Sequence, residues 1–180
     1  MKYVLLRSDW LGSCFIRPAQ FSDAAALADT LCCSWSAAFS EILTAEDLAK
    51  NVKLQKRTEM FEDILKIDGI HNIIAIDGKN PCGFCSYGKS RDNDPSDYGE
   101  IIAIHTKPEY WGKGVGKALM DRALLELRRQ GYSQVILWTF ERNSRARHFY
   151  EKYGFVNDGM IKDSGFANAK ETRYRLELDT

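Results

Sequence analysis

The chain has 180 residues, a length that suits one folded domain with a hydrophobic core. Its 25 basic and 25 acidic residues balance, so charge favours neither nucleic acid nor an anionic membrane surface as a partner. No apolar run approaches membrane-spanning length, and the apolar stretch beginning at Val4 is too short for a secretory signal. We therefore expect a single cytoplasmic domain over residues 1–180.

The first half of the chain predicts a strand, two helices and a hairpin. Side chains that cap helices stand at Ser22 or Asp23 and again at Thr44, ahead of apolar residues at helical spacing. Asp77-Gly78 is a turn signal between two apolar runs, which is typical of a β-hairpin. The predicted elements are a strand at 14–17, helices from 23 to about 39 and from 44 to about 67, and strands at 71–76 and 82–87.

The second half predicts a longer central strand, then helices and strands in alternation. A glycine-rich turn follows the central strand, and Gly131 is a stop signal for the helix after that turn. The predicted elements are a strand at 98–106, a helix at 115–129, a strand at 135–139, a helix at 146–153, and strands at 155–161 and 172–178. The order β-α-α-β-β-β-α-β-α-β-β indicates an α+β fold, with a mixed, mostly antiparallel sheet flanked by helices.

The Cys82-Gly83-Phe84-Cys85 motif is a candidate redox pair. Such chemistry needs a strand-to-helix turn, where the helix end stabilises a thiolate. Here the two cysteines lie in a predicted strand, where residues three apart point to opposite faces. This placement argues against a thiol oxidoreductase, and the chain has no second Cys/His pair with the spacing of a zinc site.

The turn after the central strand has the character of a phosphate site. Glycines at 112, 114 and 116 let a ligand approach the backbone, and the amides that open the next helix have no intrahelical partners. A dinucleotide fingerprint would need glycine at Lys117, and a P-loop would need serine or threonine at Ala118. A surface turn of similar composition is the alternative.

Two segments resemble the signatures of the GNAT superfamily of N-acetyltransferases. Residues 111–116 resemble its acetyl-CoA pyrophosphate loop, Gln/Arg-x-x-Gly-x-Gly/Ala, with Trp111 at the lead position, where the family residue contributes mostly through its backbone. Residues 143–155 run from Asn143 through Phe-Tyr-Glu-Lys to Gly154-Phe155, like the second family signature. The resemblance covers residues 70–178 well and the first 70 in outline.

The resemblance implies transfer of an acetyl group from acetyl-CoA, as co-substrate and without a metal, to a primary amine. The amine would belong to a small molecule or a protein and would attack the thioester directly; a homodimer is compatible, and neither nucleic acid nor membrane is implied. A non-catalytic acyl-CoA-binding sensor on the same fold is the alternative. The cofactor-binding residues implied are Ile104, His105, Thr106, Trp111, Gly112, Lys113, Gly114, Val115, Gly116, Lys117, Asn143 and Tyr150.

The resemblance also implies roles for particular side chains. Glu100 matches the position of the general base in members that have one; the alternative is a solvated residue at a strand end. Tyr150 would protonate the leaving thiolate, or it would be a core aromatic. By strand alternation His105 faces away from Glu100, so we expect no basic role for it.

The remaining implied residues lie beside the cofactor and the acceptor. The amides of Ile104–Thr106 would serve the thioester and pantetheine, beside a bulge in the central strand. Asn143 would bind pantetheine, cap a helix, or do both. Trp35 and Phe39 are expected to line the acceptor side, with core packing as the alternative for Trp35.

Overall fold

The computed structural model describes residues 4–5, 14–166 and 169–178. Eight strands form one sheet in the order β1-β2-β3-β4-β5-β6-β8-β7, and every neighbouring pair is antiparallel except β5 with β6. The predicted α+β fold with a mixed, mostly antiparallel sheet is confirmed. The elements are β1 Val4–Leu5, β2 Cys14–Pro18, α1 Ala24–Ala38, α2 Ala45–Asn51, α3 Leu54–Ile64, β3 Ile70–Asp77, β4 Asn80–Lys89, β5 Tyr98–Thr106, α4 Val115–Arg129, β6 Gln134–Phe140, α5 Ser144–Lys152, β7 Val156–Asp163 and β8 Lys170–Glu177.

Helices cover both faces of the sheet, and each face has its own apolar core. On one face, Leu27 of α1 and Phe61 of α3 pack against Phe84 of β4. On the other, α4 and α5 bury residues such as Leu119 and Tyr150 against the sheet. Removal of this apolar surface from water is the main favourable contribution to folding.

The second predicted helix, 44 to about 67, is wrong as a single element, because the structure divides it into α2 and α3. The break lies at residues 52–53, after Asn51 ends α2. Arg57 reaches back across the break and donates from Nε to the Asn51 carbonyl (2.6 Å) and from Nη2 to its Oδ1 (3.0 Å). These bonds satisfy a carbonyl that the end of a helix leaves without an intrahelical partner.

A bulge in β4 changes the expected geometry of the two strand cysteines. Ala75 pairs with Gly83 and Ile76 with Pro81, so Cys82 is an extra residue in the ladder. Strand alternation predicts that Cys82 and Cys85 lie on opposite faces, and this prediction is wrong. Because of the bulge, both residues pack in the same apolar cluster.

A second bulge, in β5, positions the candidate site. Ser86 pairs with Ala103 and Tyr87 with Ile101, which leaves Ile102 without a partner on β4. On its other side, β5 pairs with β6 only as far as Ile101. Beyond that residue the two strands separate, and the expected bulge and slot in the central strand are present.

The same bulge determines which face His105 occupies. The prediction that His105 faces away from Glu100 is wrong, because Ile102 adds one residue to the alternation between them. Glu100 lies opposite Gly88 and His105 opposite Phe84 on the same strand, so both side chains lie on the face that α1 and α3 cover.

Candidate active site

A cavity of about 890 Å³ occupies the gap between the separated ends of β5 and β6. It extends from the glycine-rich turn before α4 to an aromatic compartment beside α1 and α3. The predicted site residues that line it are Trp35, Phe39, Ile104, His105, Thr106, Trp111, Gly112, Gly114, Gly116, Lys117, Asn143 and Tyr150.

The turn at one end of the cavity exposes backbone amides. Gly112 (φ 74°) and Gly114 (φ 83°) adopt left-handed conformations that favour glycine, and Gly114 is the N-terminal cap of α4. An added Cβ at Gly114 would have no protein atom within 4 Å, so that space is open. The free amides of the first turn and the helix dipole make this end of α4 suitable for an anion.

Trp111 connects the turn to the end of β5. Its indole Nε1 donates to the Thr106 carbonyl (3.0 Å), and the Arg145 guanidinium lies 3.3 Å from the centre of its ring. The tryptophan that replaces the Gln/Arg of the family pattern is therefore hydrogen-bonded to the end of β5 and lies beside a cation.

The remaining residues of the turn are arranged less directly for a ligand. Val115 is buried in the core, and the Lys113 ammonium lies over the Tyr110 ring. The Lys117 ammonium forms an ion pair with Asp121 (2.8 Å) one helical turn on. Both lysine ammonium groups thus already have contacts within the protein. The free backbone amides are therefore the main anion-binding feature of this turn.

Two predicted site residues that line the cavity belong to α5 and its cap: Asn143 precedes the helix, and Tyr150 lies within it. Asn143 caps the helix, since its Oδ1 accepts from the Ala146 amide (3.2 Å). Tyr150 is 7% exposed, and within the described part of the chain its hydroxyl has no hydrogen-bond partner. Burial raises the pKa of this phenol, so it remains protonated at neutral pH.

His105 lies on the face of β5 that α1 and α3 cover. Its Nδ1 is 3.0 Å from the Ser34 hydroxyl, and its ring packs against Phe84. Burial and, second, the positive charge of Arg57 lower the pKa of His105 to about 4. The imidazole is therefore neutral at physiological pH.

Glu100 lies behind the cavity and not on its wall. The carboxylate is 2% exposed, and both of its oxygens are bonded to Arg91: Oε1 accepts from Nη2 (2.6 Å), and Oε2 from Nε (2.9 Å) and the backbone amide (3.1 Å). Arg91 itself lines the cavity. Arg91, and not Glu100, is therefore the member of this ion pair that faces a ligand in the cavity.

Glu171 is a carboxylate on the cavity wall that the sequence analysis did not select. It lies opposite Phe140 in the β6–β8 pair, with its side chain 25% exposed and 3.7 Å from the Lys162 ammonium. Burial raises the pKa of Glu171 against the smaller opposing effect of Lys162. Only the pairing of β6 with β8 brings this residue to the site, and no local motif marks it.

An aromatic cluster forms the compartment of the cavity beside α1 and α3. The Trp35 and Phe39 rings are 5.2 Å apart, and Phe39 and Phe140 are 4.9 Å apart, both edge-to-face. Phe166 packs against Trp35 and Phe140 at 5.8 and 6.0 Å. Trp35 and Phe39 therefore serve packing and line the cavity at once.

Arg57 also lines this compartment, and the sequence analysis missed it. Its guanidinium lies 5.2 Å from the Trp35 ring. A signal was available, because Arg57, Met60 and Ile64 recur at helical spacing and so share a face of α3.

Two further searches concern other kinds of site. No group of three or more His, Cys, Asp or Glu side chains that could hold a metal ion occurs among residues 14–166 and 169–178. Among the described residues, no helix is long and apolar enough to cross a membrane.

Known proteins resemble this chain in sequence. Residues 32–155 match the acetyltransferase (GNAT) family. A mycothiol acetyltransferase of Propionibacterium freudenreichii subsp. shermanii is 31% identical over 133 residues, which cover 74% of this chain but only 39% of that protein. A probable N-acetyltransferase of Mycobacterium tuberculosis is 33% identical over 121 residues, covering 66% of this chain and 67% of the relative.

Solved structures resemble it in fold. The PaiA N-acetyltransferase of Thermoplasma acidophilum, solved with coenzyme A, superposes with a TM-score of 0.78 at 20% identity, covering 92% of this chain and 99% of that one. YncA of Salmonella typhimurium, solved with acetyl-CoA, gives 0.70 at 22% identity, covering 93% and 95%. These structures show that the fold is shared. The family match over residues 32–155 establishes that the chain belongs to the GNAT family of acetyltransferases.

Proposed function

We propose that this protein is an acetyl-CoA-dependent N-acetyltransferase that acts on a primary amine. The observation that carries the proposal is the continuity of the cavity, which joins the glycine-rich turn at α4 to the aromatic compartment beside α1. Such a cavity accommodates a phosphate-bearing donor at one end and an acceptor at the other, with the gap between β5 and β6 as their meeting point.

The donor end supports acetyl-CoA by the chemistry of its backbone. The first-turn amides of α4 and the left-handed Gly112 and Gly114 suit a pyrophosphate, since a side chain at either glycine would strain the turn. Beyond the bulge, the backbone of Ile104–Thr106 is free of β6 and supplies donors and acceptors for the pantetheine arm and thioester carbonyl. Asn143 would add its amide nitrogen, because capping occupies only Oδ1.

Transfer would proceed by direct attack. The neutral amine nitrogen forms a bond to the thioester carbonyl carbon, the carbon–sulfur bond breaks, and sulfur leaves with the electron pair. The nitrogen then releases its surplus proton to solvent. Tyr150 gives its phenolic proton to that sulfur and later regains one from solvent. Its high pKa keeps the proton available, and its hydroxyl has no competing partner among the described residues.

The amine must lose a proton, and two carboxylates compete for that role. Glu100, the sequence-based candidate, has both oxygens engaged by Arg91. Glu171 lines the cavity, and its raised pKa brings its proton affinity closer to that of a base working at neutral pH. We therefore assign the role of general base to Glu171, which would take the proton of the amine directly or through a water. Glu100 would position Arg91.

The setting we propose is one domain in the cytoplasm. All five cysteines are free thiols, which agrees with a reducing compartment. The acceptor is an amine on a small molecule or a protein.

The test is an acetyl-CoA assay over a broad amine panel, with thiol release followed by mass spectrometry of the products. We expect at least one amine to yield its N-acetyl derivative. A protein that binds acetyl-CoA but acetylates none of the amines would instead be an acyl-CoA sensor.

A further inference from the structure

Arg57 is a cation in the aromatic compartment beside α1 and α3, and its hydrogen bonds go to uncharged groups. Its Nε and Nη2 donate to the two oxygens of Asn51, and its Nη1 lies 3.2 Å from the Met60 sulfur. All of these acceptors are neutral. In the part of the chain that the structure describes, no carboxylate forms an ion pair with Arg57.

The surroundings make this unpaired charge costly. Arg57 is partly buried against the Trp35 ring, and burial lowers the pKa of its guanidinium. The adjacent His105 is neutral, so it does not compensate this charge. A cation in a largely apolar compartment gains most from an anion that completes its hydrogen bonds.

Of the other charged residues that line the cavity, Lys117 is paired with Asp121, and Arg145 lies over the Trp111 ring, at the end beside the glycine-rich turn. Arg91 is paired with Glu100, and Glu171 lies beside Lys162. Arg57 thus lines the aromatic compartment, and none of the described residues supplies a carboxylate for its guanidinium. The chemistry favours a singly charged carboxylate over a phosphate, because only one uncompensated cation faces it in an apolar wall.

The aromatic cluster separates this cation from the candidate base. Arg57 contacts Trp35, Trp35 contacts Phe39, Phe39 contacts Phe140, and Glu171 lies opposite Phe140 on the neighbouring strand. An acceptor lying along these rings would have its amine at the Glu171 end and its other end at Arg57.

We infer that the acceptor is an amine with an apolar, aromatic-sized body and a carboxylate at the end remote from the amine, bound by Arg57. This inference rests on the proposed function for the orientation of the amine. The recognition of the carboxylate itself requires no catalysis and is measured separately.

The first experiment measures binding to the protein with coenzyme A present. The probes are 3-phenylpropionate and its uncharged analogue 3-phenylpropanamide, compared by calorimetry. We expect the carboxylate to bind at least about tenfold more tightly, as a charge-assisted hydrogen-bonded pair would provide. Equal affinities in the wild type, or no binding of either probe, would overturn the inference.

Variants separate recognition from the structural role of Arg57 at the α2–α3 break. Arg57→Gln should bring the two affinities to within about twofold, whereas Arg57→Lys should retain part of the difference because it keeps the charge. Asn51→Ala loosens the same junction without removing the cation, so it should preserve the preference. A preference that survives in folded Arg57→Gln would mean that another group binds the carboxylate.

The second experiment uses acceptors. Phenethylamine with a para-carboxylate should have a kcat/KM at least about tenfold higher than unsubstituted phenethylamine, and Arg57→Gln should remove the difference. If the carboxylate probe binds through Arg57 but no amine is acetylated, the proposed activity fails and the anion site stands. If both amines are acetylated with equal efficiency, the proposed activity stands and the inferred recognition of the carboxylate by Arg57 fails.

Discussion

Arg91 engages both carboxylate oxygens of Glu100, at 2.6 Å from Nη2 and 2.9 Å from Nε. This carboxylate is 2% exposed and is not among the residues that line the cavity. The side chain instead fixes an arginine at the cavity wall, while Glu171 presents the accessible carboxylate. This relationship changes the assignment of the base and leads to the first prediction.

Glu171→Gln should lower the rate by on the order of a hundredfold with an amine that is protonated at neutral pH. Raising the pH should partly restore the rate, because solution then deprotonates the amine, and an amine of low pKa should suffer less. The measurement is a pH series of kcat/KM on two amines of different pKa. Glu177→Gln, at an exposed carboxylate of the same strand, is the control.

Glu100→Gln, measured in the same pH series, should behave differently from Glu171→Gln. It should reduce the rate by a constant factor at every pH on both amines, and lower the free energy of unfolding, since Arg91 loses a charged partner. If instead the Glu100 variant shows the pH rescue and the Glu171 variant does not, Glu100 is the base.

Tyr150→Phe should lower turnover by on the order of a hundredfold while leaving the affinity for acetyl-CoA within about twofold. A proton donor acts mainly in the transition state, and phenylalanine preserves the packing of the ring. Because burial raises the pKa of Tyr150, its deprotonation should cause no fall in rate up to about pH 9. Tyr132→Phe, outside the cavity, is the control; equal turnover in both variants would leave Tyr150 a packing residue.

Gly114→Val should weaken acetyl-CoA binding at least about tenfold, because the side chain would enter the approach path and strain a left-handed residue. Gly131→Val tests strain alone, since Gly131 (φ 89°) is also left-handed but lies at the far end of α4. Calorimetry should find the affinity lost only in the first variant. Comparable losses in both would attribute the effect to general destabilisation.

His105 should make the fold sensitive to mild acid. Its pKa is about 4 in the folded chain and about 6.5 in an unfolded one, so between these values the unfolded state binds the extra proton. The free energy of unfolding should therefore fall as pH decreases from about 6.5 toward about 4. His105→Gln should flatten this slope in thermal or urea unfolding, whereas His148→Gln, at an exposed histidine, should not; an unchanged slope in His105→Gln would mean that His105 is protonated in the folded chain.

Local signals in the sequence were sufficient to predict the glycine-rich turn and the start of α5. Glycine at 112 and 114 permits the left-handed backbone of the turn, and Asn143 caps a helix that carries Tyr150; each feature is determined within a few residues. The central strand and the helix after it have strong apolar periodicity, so their bounds were predicted closely.

The end of the cavity beside α1 and α3 depends on contacts between distant parts of the chain. The face of His105 changes with one bulge residue, and a bulge is not visible in the alternation of β5 alone. Glu171 reaches the cavity only through the pairing of β8 with β6. The break between α2 and α3 is closed by the Arg57 side chain, which from sequence resembles a solvated helix residue.

The most direct test of the proposed activity is a single-turnover reaction with protein in excess over acetyl-CoA and an accepted amine. Free thiol, N-acetyl amine and protein mass are followed together after rapid quenching. Direct attack predicts that thiol and N-acetyl amine appear at one rate, in equal amounts, with no acetylated protein formed before them. Thiol release without N-acetyl amine, or an acetylated protein that precedes the product, would contradict the account.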